Sequence, residues 1–201
     1  MNCYQISRIL GLPDWQTIPA LEAANILWLP DADIRMTQQL CYNDETLFIH
    51  QCAVESKIRA LHNAPLASVC EDSCMEFFFC PEKDSERYFN FEWNLNGCLY
   101  LGFHNGEKTA VRLLPQRAIE QFSFCGRPTE TGWEIFYQIP LSFIQMFCPD
   151  FSFAPGVTIR ANCYKCGDKT EKPHYLSWNP CTCDYPNFHR PSDFGCMVFG
   201  D

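Results

Sequence analysis

Tyr88-Phe89-Asn90-Phe91-Glu92-Trp93-Asn94-Leu95-Asn96 alternates apolar and polar side chains from its second residue to its last. A β-strand sends successive side chains to opposite faces. Phe89, Phe91, Trp93 and Leu95 therefore share one face, and Asn90, Glu92, Asn94 and Asn96 the other. The first set reads as core. The second is a row of amides with one carboxylate, groups that exchange hydrogen bonds with hydroxyls. It holds no Lys or Arg, the usual residues of a merely solvated face. Asn96-Gly97 follows at once and signals a two-residue hairpin into another strand.

Outward from this segment, apolar runs separated by turn residues predict strands at 25–29, 46–54, 74–80, 88–95, 98–103, 121–125, 133–139, 158–164, 175–178 and 195–199. Asn105-Gly106 and Thr131-Gly132 supply further turns. Strands of this length and spacing belong to a sandwich or barrel. Helix signals are few. Residues 141–147 predict one or two turns with Pro140 at the first helical position, and 20–25 is a weaker second candidate. The expected fold is all-β, an antiparallel β-sandwich of jelly-roll or immunoglobulin-like kind with one or two short helices. At 201 residues, 1–201 is expected to form a single domain.

Composition narrows the function. A formal net charge of -9 with no basic cluster excludes a phosphate backbone as the natural partner. It argues equally against an anionic membrane surface, and no run approaches the ~20 apolar residues of a membrane helix. Aromatic residues make up 15% of the chain, and exposed rings suit flat ligands such as sugars or bases. Met1 to Arg8 shows no basic region followed by an apolar run, so a cytoplasmic setting is expected; a precursor with an export signal is the competing reading. The 14 cysteines follow no disulfide framework. Cys52, Cys74, Cys98, Cys163 and Cys196 sit inside strand-like runs, where they act as small buried hydrophobes, and reduced thiols are expected.

Four constellations could carry chemistry. Glu76, among Phe77, Phe78 and Phe79, and Glu92 on a neighbouring strand could flank a glycosidic bond as an acid–base pair, although binding is the favoured role; Glu71 and Asp72 adjoin them. Cys163-x-x-Cys166 with Cys181-x-Cys183 resembles a zinc ribbon superficially, yet a strand would put Cys163 and Cys166 on opposite faces. No Gly-x-Ser-x-Gly elbow, catalytic-cysteine signature or phosphate-cradling glycine loop is present. Finally Tyr175, Trp178, Tyr185, Phe188 and His189 fall among prolines and asparagines, with Trp178 expected to be more buried and Phe188 more exposed.

Glu71-Asp72-Ser73-Cys74-Met75-Glu76-Phe77-Phe78 and Tyr88-Phe89-Asn90-Phe91-Glu92 resemble the central strands of carbohydrate-binding module family 9 and its stand-alone bacterial relatives. So do Arg160-Ala161-Asn162-Cys163-Tyr164-Lys165-Cys166-Gly167-Asp168, Ser177-Trp178-Asn179-Pro180 and Phe188-His189-Arg190-Pro191-Ser192-Asp193-Phe194-Gly195. The resemblance covers most of the chain beyond about residue 20. It implies an antiparallel β-sandwich of the kind that xylanases carry as accessory, non-catalytic sugar-binding domains, with two aromatic side chains clamping the sugar. Phe188 falls at one clamp position. The other falls close to Cys70, where a thiol replaces the ring and a more open site is expected. The implied site is Glu76, Asn90, Glu92, Asn162, Tyr164, Trp178 and Phe188, with Arg160 on the same row. The implied ligand is a small saccharide, xylan-derived or another oligosaccharide, and structural calcium is the cofactor that the resemblance allows. An enzyme of glycan metabolism using Glu76 and Glu92, or an interaction module that has lost sugar binding, are the alternatives.

Overall fold

The computed structural model describes residues 1–30, 33–64, 67–106 and 109–201. Its strands are β1 (Cys3–Arg8), β2 (Ala20–Glu22), β3 (Asn25–Ile26), β4 (Arg35–Tyr42), β5 (Thr46–Val54), β6 (Cys74–Cys80), β7 (Arg87–Asn94), β8 (Leu99–Asn105), β9 (Thr109–Leu113), β10 (Cys125–Pro128), β11 (Gly132–Pro140), β12 (Thr158–Cys166), β13 (Tyr175–Ser177) and β14 (Gly195–Phe199). Two short helices, α1 (Ala118–Gln121) and α2 (Leu141–Gln145), and two 3-10 turns, Val69–Glu71 and Pro191–Asp193, complete the described elements.

One layer runs β9-β8-β7-β6-β12-β14, with β13 and β3 extending from the far end of β12; the other runs β10-β11-β5-β4 with β2. β1 joins them. Cys3 to Ile6 pair with β14, and Ser7 and Arg8 pair with β4, both in parallel. The remaining pairings are antiparallel. The fold is therefore a β-sandwich of mixed rather than purely antiparallel pairing. Parallel neighbours must be joined by long connections, and β1 meets that condition because its partners lie well downstream. Nothing in a strand's own pattern reveals such a partner.

The alternating segment behaves as its pattern requires. Phe89, Phe91 and Trp93 are wholly buried between the layers with Phe77 and Phe79 of β6 and Ile49, Trp133, Ile135 and Tyr137 of the facing layer. Burying each such ring contributes about 1.5–3 kcal/mol. The opposite face of β6 and β7 is covered too. Phe78, Tyr88, Tyr164, Phe188 and Phe194 form a second apolar cluster there, so all seven residues of β6 are buried. That double cover explains the unbroken Phe77-Phe78-Phe79 run.

Local differences from the sequence reading have local causes. The β7–β8 connection is not a two-residue hairpin: Gly97 donates its N–H to Asn94 O and takes φ +79, which makes a turn followed by a left-handed residue. Leu95 and Asn96 belong to this turn, not to the strand. The expected strand at 121–125 is the end of α1, with Phe122 N–H bonded to Ala118 O, and Ser123 at φ 46 before β10 begins. Residues 20–22 of the weaker helix candidate pair with β4 instead. Pro140 closes β11 and caps α2 from outside in an extended conformation, rather than entering the helix.

Candidate functional site

Beside the second apolar cluster, the outer face of β6, β7 and β12 opens into a cleft of about 370 Å³, a volume within the range of small-molecule sites. Glu76 of β6 and Glu92 of β7 form its base as direct cross-strand partners. Cys166, the last residue of β12, and Cys70, in the turn before β6, adjoin them. Trp28, Tyr175 and Phe188 line the cleft with Tyr100 of β8, and Asp168, Asn187 and His189 add polar groups.

The aromatic lining is fixed tightly. Trp28 has φ 54, unusual for a bulky residue. Its Nε1 donates to Cys183 O at 2.8 Å, and its ring meets Tyr175 edge-on, centroids 5.3 Å apart. Phe188 lies 5.5 Å from Trp28 and stacks on Tyr164 at 4.1 Å and 11°. Across the cleft, the Arg112 guanidinium sits 3.6 Å over the Tyr100 ring, a cation–π contact that holds the ring flat. A strained conformation held by its surroundings is common where ligands are clamped.

The carboxyls are held from behind. Asn90 Nδ2 donates to Glu92 Oε1 at 2.8 Å, and Asn90 Oδ1 accepts from His104 Nε2 at 2.8 Å. His104 stacks on Tyr88 at 4.5 Å and 9°, and burial lowers its pKa to about 4. Gly102 makes room for this arrangement: a Cβ there would stand 2.4 Å from Asn90 Oδ1. Cys166 Sγ donates to Glu76 Oε1 at 2.9 Å. These bonds engage Oε1 of each glutamate and leave Oε2 for a ligand. Burial pushes Glu92 up to about 7, against the pull of the Asn90 hydrogen bond and the Arg112 charge. Glu76 is raised well above the usual carboxylate range by burial and by Glu92. Like charges facing each other are unfavourable, so near neutrality the pair retains protons. The base can then donate as well as accept hydrogen bonds.

Of the residues expected from sequence, Glu76, Glu92 and Phe188 line this cleft together. Asn90 stands behind Glu92, and Tyr164 is wholly buried beneath Phe188. Phe188 is not the exposed platform expected; at 8% exposure it is nearly as enclosed as Trp178 at 6%. The Tyr164 ring covers one of its faces. Trp178 packs in the main core, where Gly195 gives it room. Asn162 ties the C-terminal segment instead, donating to Asn179 O at 3.0 Å and accepting from Asn179 N at 2.8 Å. Arg160 likewise reaches backbone carbonyls of Lys83, Ser85 and Pro191. Asp72 is an anchor, its Oδ2 accepting from Leu61 N, His62 N and Asn94 Nδ2.

The spaced cysteines do not converge. Cys163 faces the core between the layers and Cys166 the cleft, as strand geometry demands. Among the described residues, the acids, thiols and imidazoles close enough to share one ion are Cys74, Glu76 and Cys166. Two sulfurs and one carboxylate do not suit calcium, which takes oxygen donors.

Trp28 and Tyr100 escaped the sequence reading. Trp28 lay at the end of a predicted strand with only its size to distinguish it, and Tyr100 in a strand whose outward face showed no polar row.

Comparison with known proteins is consistent with this architecture. The model of the family described as Carbohydrate-binding family 9 matches residues 12–199. The crystal structure of a candidate carbohydrate-binding protein from Bacteroides uniformis ATCC 8492 shares 24% identity and a TM-score of 0.83, covering 98% of either chain. A carbohydrate-binding module family 9 from Caldicellulosiruptor kristjanssonii in complex with cellotriose is 11% identical with a TM-score of 0.70, over 99% of this chain and 94% of that one. The same organism's module in complex with glucose is 12% identical, also at 0.70, over 100% and 97%. Among curated proteins none matches. At these identities the structural likeness speaks for the fold, and membership rests on the family match over nearly the whole chain. The chain belongs to carbohydrate-binding family 9.

Proposed function

We propose that the chain binds a small saccharide in the cleft lined by Trp28, Tyr100, Tyr175 and Phe188, without cleaving it. One observation carries this reading: an aromatic-lined cleft has two facing carboxyls at its base. Aromatic rings match the C–H face of a pyranose, and Glu76 and Glu92 match its hydroxyls. Asn90 positions Glu92, Tyr164 backs Phe188, and Asn162 holds the segment that carries Phe188. The cellotriose and glucose complexes of the structural neighbours support a glucose-type ring. Xylan-derived oligosaccharides, whose ring hydroxyls are arranged alike, are the second ligand class.

Calorimetry with glucose and with cello- and xylo-oligosaccharides tests the reading. Binding is expected, weakened about two- to tenfold by Trp28→Ala, since a stacked ring contributes about 0.5–1.5 kcal/mol. Silence across the panel at millimolar sugar would refute it and favour an interaction module. The raised Glu92 pKa favours one second reading, an acid–base pair acting on a glycosidic bond. Release of reducing ends by wild type, abolished in Glu92→Gln, would establish that reading instead.

A further inference from the structure

Cys74 and Glu76 are two residues apart on β6 and therefore share its cleft-side face. Cys166 of β12 is the direct cross-strand partner of Cys74. Strand pairing alone thus brings two sulfurs and a carboxylate together. One donor atom from each lies within 4.8 Å of the other two, and all three residues are buried. Glu76 and Cys166 also line the cleft, so an ion has a way in.

We propose that Cys74, Cys166 and Glu76 form a binding site for one zinc-class divalent cation at the base of the cleft, with the fourth coordination position facing the cleft. Zinc takes thiolate and carboxylate ligands tetrahedrally at roughly 2.0–2.3 Å, which places neighbouring donors roughly 3.3–3.8 Å apart. Cys166 Sγ and Glu76 Oε1 are 2.9 Å apart and every donor pair lies within 4.8 Å, so a small rotamer adjustment that spreads the first pair admits the ion. Thiolates select against calcium and magnesium. Asp168, beside the cleft, is a further acidic side chain that favours a cation, and Glu92, opposite Glu76, gives up its proton more readily next to one. Three protein ligands with an open position is the arrangement of zinc sites that also hold water or a small ligand. Coordination involves no redox change. Two S–H bonds and the Glu76 O–H break, two sulfur–metal bonds and one oxygen–metal bond form, and the protons pass to solvent.

The test uses fully reduced, chelator-treated protein titrated with Co²⁺ and then Zn²⁺. One equivalent of Co²⁺ is expected to give tetrahedral d–d and thiolate charge-transfer bands that Zn²⁺ displaces. X-ray absorption of zinc-loaded wild type should count two sulfurs at about 2.3 Å with oxygen completing the shell, a readout that needs no variant to fold. Cys74→Ser and Cys166→Ser should each weaken zinc by on the order of 100-fold, at least the loss seen when an outer-shell partner is removed. Cys125→Ser, an exposed thiol remote from the cluster, should leave it unchanged. Absence of the tetrahedral spectrum, a four-sulfur or sulfur-free shell, or bands that survive both serine variants would overturn the site. Sugar plays no part in these readouts, so the two proposals stand or fall separately.

Discussion

At the scale of single residues, the cleft depends on Trp28, whose φ of 54 costs about 1–2 kcal/mol in a residue with a Cβ. The indole is kept there by its bond to Cys183 O and its edge contact with Tyr175. Two variants separate conformation from ring. Trp28→Gly and Trp28→Ala should lose sugar affinity equally, but Trp28→Gly should be more stable than Trp28→Ala by about 1 kcal/mol, because glycine adopts positive φ freely. Urea denaturation measures the difference, and equal stabilities would show that the backbone relaxes once the ring is gone. Trp28 also marks where sequence reading stops. Glu76 and Glu92 were legible because acids inside apolar alternating strands need an explanation. Trp28 was not, because an aromatic residue at a strand end is ordinary and its left-handed backbone leaves no mark in composition.

At the scale of elements, β7 shows how one strand serves two purposes. Its apolar face was readable from alternation alone, and the limits of β5, β6 and β14 coincide with the runs that predicted them. β4 was missed because Gln38 occupies a core-facing position, where it accepts from Gln51 Nε2 at 2.6 Å while Gln51 also donates to Glu76 O. A buried amide breaks the hydrophobic pattern although it satisfies the packing. The polar face of β7 was readable as polar but not as buried. Its amides are enclosed by β8 and by the segments around His62 and Asp72. Gly102→Ala tests this enclosure, since the added methyl meets Asn90 Oδ1 and, at 2.8 Å, His104 Nε2. The expected loss is about 1–3 kcal/mol, with weakened sugar binding as Asn90 is driven from Glu92. The denaturation midpoint and calorimetry together check it. An unchanged sugar affinity would mean that Asn90 does not position the carboxyl.

At the scale of the whole molecule, buried acids of opposite character should set the pH range of stability. Glu55 lies under the same end of β12 as Cys166 but on its opposite face, with Lys165 Nζ 3.1 Å away, Trp133 Nε1 donating at 2.9 Å and Ser73 Oγ at 2.6 Å. Burial works to raise its pKa, but the Lys165 charge and these hydrogen bonds outweigh it and hold Glu55 below the usual range. Its contribution is present above the ordinary glutamate pKa and is lost as pH falls through the depressed value. Removing the carboxylate by Glu55→Gln strands the Lys165 ammonium and should cost about 3–5 kcal/mol. Glu92 has the reverse sign. Its proton is held more tightly folded than unfolded, so its contribution is full below about 4.5 and is lost as pH rises through about 7. That shift corresponds to about 3 kcal/mol, and Glu76 acts in the same direction. The groups that set the alkaline limb are Glu76, Asp168 and Arg112 around Glu92, with the Asn90 amide. Stability should therefore peak near pH 5 and decline toward pH 8, and Glu92→Gln should flatten that decline while leaving the acid limb intact. Urea midpoints at pH 3, 5 and 8 measure both limbs. A profile that rises from pH 5 to 8 would mean that the two glutamates ionise in the cleft without penalty, which their burial beside one another forbids unless a cation sits between them.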